Sequence, residues 1–105
     1  MRRGDVFELS PRKGKGHEQR GRRFGVVVQS DAFLPRSVVI VAPTSRSARS
    51  ASFRPQAVVG DEVTKVLVEQ IGAVDVTRLG DLVGHLTAQE MWGIDEGFRT
   101  VLALV

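Results

Sequence analysis

The 105-residue sequence has no cysteine and no tyrosine, and it contains only one tryptophan. The absence of cysteine excludes disulfides and thiolate metal sites, which fits a reducing compartment. No segment approaches the roughly 20 consecutive apolar residues of a transmembrane helix. Met1-Arg2-Arg3 leads into Gly4-Asp5 and not into the apolar core of a signal peptide. The sequence therefore predicts a soluble, cytosolic protein that does not enter a membrane.

Metal ligands are also scarce. The two histidines, His17 and His85, lie far apart in the sequence, and no Asp, Glu and His residues cluster at the spacing of a metal site. The sequence therefore predicts neither a bound metal ion nor another cofactor.

Charge is abundant and unevenly distributed. Residues 1–54 carry 12 of the 15 lysine and arginine residues and four acids, whereas residues 55–105 carry three basic residues and eight acids. A basic face would attract a polyanion such as a nucleic acid. A solvated basic surface that favours solubility is the alternative interpretation. The chain length predicts a single domain, residues 1–105, with one thin hydrophobic core.

Short apolar runs separated by turn residues predict a compact β domain. Strands are predicted at 6–9, 24–29, 37–42, 53–59, 63–76 and 83–86. The second and third of these are continuously apolar and rich in β-branched residues, as in buried central strands. A bulge or bend is expected at Gly72. Residues 44–52 are predicted to form a polar loop, and residues 77–82 a turn or short helix.

The C-terminal segment predicts a helix. Thr87-Ala88-Gln89-Glu90 has the pattern of a capping box, in which Thr87 and Glu90 each satisfy a backbone N–H at a helix start. An apolar stripe follows at helical spacing. Its residues are Met91, Ile94, Phe98, Val101, Leu102 and Val105. The expected fold class is mainly β with helices (α+β), with this helix packed over a strongly bent sheet or small barrel.

Five segments together resemble the MazF/PemK family of toxin endoribonucleases of type II toxin-antitoxin systems. In chain order they are Arg3-Gly4-Asp5-Val6-Phe7, Gly16-His17-Glu18-Gln19, the Arg23-led strand ending in Val28-Gln29-Ser30-Asp31, Ala42-Pro43-Thr44-Ser45, and Glu69-Gln70-Ile71 with Asp75 and Arg78-Leu79. The resemblance extends from Arg3 to the final helix.

The resemblance implies a half-open, SH3-like PemK/CcdB-type barrel with a C-terminal helix, assembled as a symmetric homodimer. It implies a toxin that cleaves single-stranded RNA at short sequences without a metal. It also implies inhibition by a cognate, MazE-like antitoxin through a disordered acidic and apolar segment. By position in the motifs, Arg23 matches the catalytic arginine of the family and Thr44 matches the catalytic threonine.

Metal-free RNA cleavage imposes chemical requirements on such a site. The ribose 2′-OH attacks the adjacent phosphorus, so a proton must leave that hydroxyl, the phosphorane charge must be stabilised and the departing 5′ oxygen must be protonated. A guanidinium such as Arg23 suits phosphate oxygens. His17 is a third catalytic candidate because a histidine exchanges protons near neutral pH. The alternative for His17 is a loop histidine that binds phosphate or caps a backbone group.

Further residues are candidates for RNA binding. Basic side chains would contact the RNA backbone. Glu18 and Gln19 would order the loop or read a base edge, the alternative being a solvated polar turn, and Glu69 and Gln70 would face the same RNA-binding groove. The predicted RNA-binding set is Lys13, Lys15, Glu18, Gln19, Arg20, Arg22, Ser45, Arg46, Glu69 and Gln70. For each basic residue the alternative is a solvated surface charge. For Glu69 and Gln70 it is a hydrogen bond within the sheet.

Two other functions remain open at this point. A non-catalytic nucleic-acid-binding barrel explains the charge distribution equally well. A CcdB-like toxin that poisons gyrase shares the fold and carries a Trp-Gly-Ile end. Trp92-Gly93-Ile94 is present here, but 11 residues follow it. Trp92 is therefore expected to pack or to mediate dimerisation.

Overall fold

The computed structural model describes residues 1–10 and 23–105, and seven strands and one helix are assigned within these ranges. The strands are β1 (Asp5–Leu9), β2 (Phe24–Val27), β3 (Val38–Ser45), β4 (Gln56–Val59), β5 (Glu62–Val66), β6 (Gly72–Asp75) and β7 (Leu79–His85), and the helix is α1 (Ala88–Val101). Single 3-10 turns occur at Asp31–Phe33, Val68–Gln70 and Val76–Arg78. The predicted class, mainly β with a C-terminal helix, is confirmed.

The strands pair antiparallel in the order β4-β5-β3-β2-β1-β7, with β6 paired to β3. β3 changes partner along its length. Its first half pairs with β6, whereas Thr44 and Ser45 at its end pair with β5. β2 pairs with β3 between Val41 and Pro43. The change of partner gives the half-open barrel that the sequence predicts, and it places the end of β3 where one part of the sheet passes into the other.

The sheet buries apolar side chains on both faces. Val26 and Val28 belong to the larger cluster, which includes Ile94 of α1, whereas Val27 between them packs against Val39 and Val41 in a second cluster. Successive strand residues point to opposite faces, so a continuously apolar segment supplies both clusters. The single core expected from the chain length is therefore divided between the two faces.

Several predicted bounds are wrong. Segment 63–76 is not one strand with a bulge: the turn Val68–Gln70 divides it, and Gly72 begins β6. Thr44 and Ser45 belong to β3 and not to the following loop, and β7 begins at Leu79 inside the predicted turn. The first half of β3 alternates between exposed and buried residues, so it is not buried on both faces as expected.

Helix α1 begins with the predicted capping box. The Thr87 hydroxyl accepts from the Glu90 N–H, and Glu90 Oε1 accepts from the Thr87 N–H. The second oxygen of Glu90 accepts from the N–H of Val58, which ties the helix start to β4. The apolar stripe is shorter than expected because the helix ends at Val101, and Leu102 and Val105 are exposed. Within the described ranges, α1 is too short and too polar to span a membrane.

Close backbone contact fixes α1 against the segment before β4. A Cβ on Gly97 would lie 2.9 Å from the carbonyl oxygen of Phe53 and 3.1 Å from Val68. Only glycine therefore allows the helix to approach this closely.

Charged residues tie the N-terminal segment to the rest of the fold. We call this region the N-terminal corner; it comprises residues 2–5 with Asp31, His85 and Asp95. Arg3 donates from Nε to the Val28 carbonyl oxygen at 2.8 Å and from Nη2 to Asp95 at 2.7 Å. Its backbone N–H donates to Asp31. Gly4 has a φ of 98°, and a Cβ there would lie 2.9 Å from the His85 ring. The first segment of the family resemblance therefore has a structural role, because it holds the N-terminal segment to the rest of the fold.

A carboxylate is buried in this corner. Asp5 is 7% exposed, and its Oδ1 lies 2.8 Å from Nδ1 of His85, while Oδ2 accepts from the Arg2 N–H. Burial raises the pKa of Asp5, but the hydrogen bonds from His85 and from the Arg2 backbone outweigh it and hold this pKa below its usual value of 3.8. Through this contact His85 has a structural role in the corner.

Candidate active site

Arg23 lies at the start of β2, next to the end of β3. Its carbonyl oxygen accepts a hydrogen bond from the Leu9 N–H at 2.8 Å, which fixes its backbone against the end of β1. The last registered pair between β2 and β3 is Gly25 with Pro43. Continuing that register by two residues brings Arg23 opposite Ser45 and beside Thr44. The exposed Arg23 therefore reaches the same end of the sheet as the predicted threonine.

Thr44 is held at the point where β3 exchanges β6 for β5 as its partner along one edge. It pairs with Val66, and the preceding residue, Pro43, accepts a hydrogen bond from the Leu67 N–H at 2.8 Å. Thr44 is only 6% exposed. Pairing on both sides of this segment gives the threonine a defined position, which suits a hydroxyl that contacts a reacting phosphate.

Ser45 and Arg46 follow at the same strand end, and both have partners within the protein. The Ser45 hydroxyl accepts from the Ala48 N–H at 3.1 Å and so stabilises the turn after β3. Arg46 forms an exposed ion pair with Glu62 at 2.7 Å. Arg46 therefore has to exchange an acidic partner for a phosphate if it binds RNA.

The carboxylate of Glu69 is bound by Arg54. Both Nε and Nη2 of Arg54 donate to Oε2 of Glu69, at 3.0 and 2.6 Å, and the two side chains are 20% and 23% exposed. The hydrogen bond from Arg54 outweighs burial and lowers the pKa of Glu69 below its usual value of 4.5. The neighbouring Gln70 is exposed. The binding role predicted for both residues stays a prediction, and for Glu69 the ion pair favours the alternative of an internal contact.

Most of the predicted loop lies outside the described residues. This applies to His17, the third catalytic candidate, and to Lys13, Lys15, Glu18, Gln19, Arg20 and Arg22. The structure thus brings together Arg23, Thr44, Ser45 and Arg46, with Glu69 and Gln70 on the turn after β5.

Arg54 was missed by sequence reasoning. It follows the Ser- and Arg-rich loop and resembles the other arginines of that half of the chain, so nothing local distinguishes it. Its partner is 15 residues further on. The pair could have been found only from the pairing of β4 with β5, which brings these two segments together.

Trp92-Gly93-Ile94 lies inside α1. Ile94 is buried in the larger core, and Gly93 faces Pro55, whereas Trp92 is 64% exposed. Of the two roles expected for Trp92, packing or dimerisation, its exposure favours dimerisation, which stays a prediction.

Within residues 1–10 and 23–105, no three His, Asp or Glu side chains are grouped so that they could hold a metal ion.

Comparisons with known proteins indicate the family. A family model described as PemK-like, MazF-like toxin of type II toxin-antitoxin system matches residues 2–102. A Mycobacterium tuberculosis protein named as a toxin is 40% identical, over 97% of each chain. Endoribonuclease EndoA of Bacillus subtilis is 32% identical, over 100% of this chain and 97% of its own.

The fold is also found in a solved structure from a mycobacterial species, described as an endoribonuclease in complex with its cognate antitoxin. The two chains superpose with a TM-score of 0.81 at 20% identity, covering 100% of this chain and 97% of the other. At this identity the likeness concerns the fold.

Proposed function

The chain belongs to the family of PemK-like and MazF-like toxins of type II toxin-antitoxin systems, and from that membership we propose that it is a sequence-specific endoribonuclease acting on single-stranded RNA. The toxin acts as a single domain in the cytoplasm, where its RNA substrates are. It needs no metal ion, because side chains at the end of the sheet supply the positive charge and the proton transfers.

The observation that carries this proposal is the register between β2 and β3. Extended by two residues, this register brings Arg23, whose backbone is held by Leu9, close to the buried hydroxyl residue Thr44, which supports the assignment of the two as a catalytic pair. A barrel that only binds nucleic acid has no need for such a pair on rigid strand ends. A gyrase poison of the CcdB type would need its Trp-Gly-Ile triplet at an end of the chain, and here the triplet is inside α1.

Each residue has a defined role in the proposed reaction. The 2′ oxygen of the ribose forms a bond to phosphorus as the bond from phosphorus to the 5′ oxygen breaks. Arg23 donates to the non-bridging phosphate oxygens, where negative charge increases in the phosphorane. The Thr44 hydroxyl donates to the same phosphate and fixes its orientation. His17 is the candidate that removes or returns the proton.

Cleavage in the presence of a chelator tests the proposal. Purified protein should cut a mixed RNA in excess EDTA, and sequencing the new ends should give a short common target. Arg23→Ala should lower kcat/KM by about 10²- to 10³-fold, the usual loss for one charge-stabilising donor. Arg99 forms an exposed ion pair with Glu96 on α1, which we call the exposed helix pair. Arg99→Ala therefore removes an equal charge away from the site and is the matched control. RNA that stays intact with the wild-type protein, or equal cleavage by Arg23→Ala, would refute the proposal.

Two partners complete the proposed function. A cognate, MazE-like antitoxin inhibits by laying a disordered acidic and apolar segment over the basic groove. The solved mycobacterial endoribonuclease is itself in complex with its cognate antitoxin. An acidic antitoxin peptide that binds without slowing cleavage would contradict this. A second copy of the chain forms a homodimer, and a monomeric elution volume would contradict that.

A further inference from the structure

Arg54 anchors the middle of the loop that follows the predicted catalytic threonine. Its Nη1 donates to the carbonyl oxygen of Arg49 in the middle of the loop at 2.9 Å, while Nε and Nη2 donate to Glu69. One guanidinium therefore joins the loop 46–53 to the turn Val68–Gln70. The fork geometry of arginine allows both contacts at once, and lysine cannot reproduce it.

We call the contact between Arg54 and Glu69 the bridge, and other contacts fix the chain at both of its ends. The Arg54 N–H donates to the Ala51 carbonyl oxygen, and the next residue, Pro55, accepts from the Val66 N–H at 2.9 Å. On the other side, Glu69 belongs to a turn whose Val68 is fully buried. The bridge thus connects the loop to parts of the chain that cannot move without disturbing the core.

The turn that carries Glu69 is also connected to the end of β3 where Thr44 lies. Leu67, at the start of the turn, donates its N–H to Pro43, the residue before Thr44. The loop 46–53 leaves directly from Ser45. The bridge from Arg54 to Glu69 therefore completes a closed series of contacts that runs from the loop through the turn to the end of β3 and includes Thr44.

The Glu69 carboxylate depends on Arg54 for its charge compensation. Its Oε1 is buried and has no hydrogen-bond partner among the described residues, while Oε2 accepts both donors from Arg54. A half-buried carboxylate that loses its cation is left without a counter-charge, so the two side chains should act as a unit.

Resting on the proposed function, we propose that Arg54 and Glu69 are positioning residues that set the conformation of loop 46–53 for RNA binding, and that Glu69 acts through Arg54 and not by contacting RNA. The residues of this loop, including Arg46 and Arg49, then meet the RNA in one prearranged geometry. Losing the bridge raises KM by allowing the loop many conformations, while the chemistry at Arg23 and Thr44 is retained.

A readout without RNA tests the bridge itself. Trypsin cleaves after Arg46 and Arg49, and mass spectrometry assigns each cut to its position. Arg54→Ala and Glu69→Gln should each raise the rate of cutting after Arg49 by about tenfold, because local opening becomes easier. Cutting after Arg78 reports on opening elsewhere and should change less than twofold. Arg99→Ala and Glu96→Gln, from the exposed helix pair, should leave both rates unchanged. Unchanged cutting after Arg49 in both bridge variants would overturn the proposal.

RNA cleavage then separates positioning from direct contact. Each bridge variant should raise KM by about tenfold, with kcat within about twofold of wild type. The double variant should match the single ones, because side chains that act as a unit are not additive. Effects that multiply in the double variant would show that Glu69 contacts RNA independently, and normal KM with an opened loop would show that the loop takes no part in binding. Both results would overturn the proposal. If the wild-type protein cleaves no RNA, the proposed function fails, but the trypsin result still decides whether the bridge holds the loop.

Discussion

The two ends of the central strands β1, β2 and β3 use the same residue types for opposite purposes. At the N-terminal corner, Arg3 and Asp5 are bound to groups of the fold itself, namely a carbonyl, two carboxylates and an imidazole ring. At the other end, Arg23, Thr44 and Arg46 meet at rigid strand ends that adjoin the most basic half of the sequence. The comparison teaches that a charged motif whose contacts to the fold are partly buried is structural, whereas the exposed ion pair of Arg46 with Glu62 leaves that guanidinium where a phosphate can compete for it.

The largest expected effect is at the Thr44 end. Thr44→Val keeps the shape of the side chain and removes the hydroxyl. We expect kcat/KM for RNA cleavage to fall by about 10²-fold, because one donor to the reacting phosphate is lost. The free energy of unfolding, measured in urea, should stay equal or rise, since valine suits a buried strand position. A stability loss that accounts for the lower activity would break the distinction between the two ends.

At the N-terminal corner we expect the opposite result, a loss of stability without a loss of activity. Arg3→Ala removes two charge-assisted hydrogen bonds, to the Val28 carbonyl and to Asp95, of which the second is also an ion pair. We expect the free energy of unfolding to fall by about 1–3 kcal/mol. The kcat/KM of the folded fraction should stay at the wild-type value, because Arg3 lies at the opposite end of β1 from Arg23. Activity lost without lost stability would place Arg3 in the site and contradict the comparison.

Much of the fold could be predicted from local patterns, and the errors have a common cause. The capping box at Thr87 and the apolar runs of β2 and β3 depend on neighbours in sequence, so they were found. The bounds of β3 and the division of segment 63–76 depend on which strand pairs with which, and that is set by contacts distant in sequence. A strand that exchanges β6 for β5 near Thr44 has no local signature.

The site shows the same division. Arg23 and Thr44 were predicted because each matches a catalytic position of the family motifs; the register brings them to the same end of the sheet, and their catalytic role stays a prediction. The bridge from Arg54 to Glu69 was not found, because it joins two segments whose sequences give no sign of each other. Glu69 was predicted to bind RNA from its motif, whereas no pattern in the sequence indicated Arg54 as its partner.

Acid should weaken the N-terminal corner. The pKa of Asp5 in the folded protein lies below its usual value of 3.8, so its contribution to stability is present above that pH and is lost as the pH falls through the folded pKa. We expect Asp5→Asn to be less stable than wild type at pH 7 and to lose less stability between pH 5 and about pH 2. Urea unfolding at a series of pH values gives, for each protein, the slope of the free energy of unfolding against pH. Parallel slopes for the two proteins would show that Asp5 contributes nothing to acid sensitivity.

The smallest effect is expected at the exposed pair of Arg46 and Glu62, and it tests the comparison most sharply. Both side chains are largely exposed, so Glu62→Gln should change the free energy of unfolding by less than about 0.5 kcal/mol. The same change removes the acid that competes with RNA for Arg46, so KM should fall about twofold at low salt and return to the wild-type value as salt screens the phosphates. Gln56→Glu adds an acid on the neighbouring strand β4 and should raise KM if the surrounding charge, rather than Arg46 alone, governs binding. If Glu62→Gln left KM unchanged at every salt concentration, Arg46 would be a surface charge like those of the exposed helix pair, and the cationic end of the sheet would reduce to Arg23.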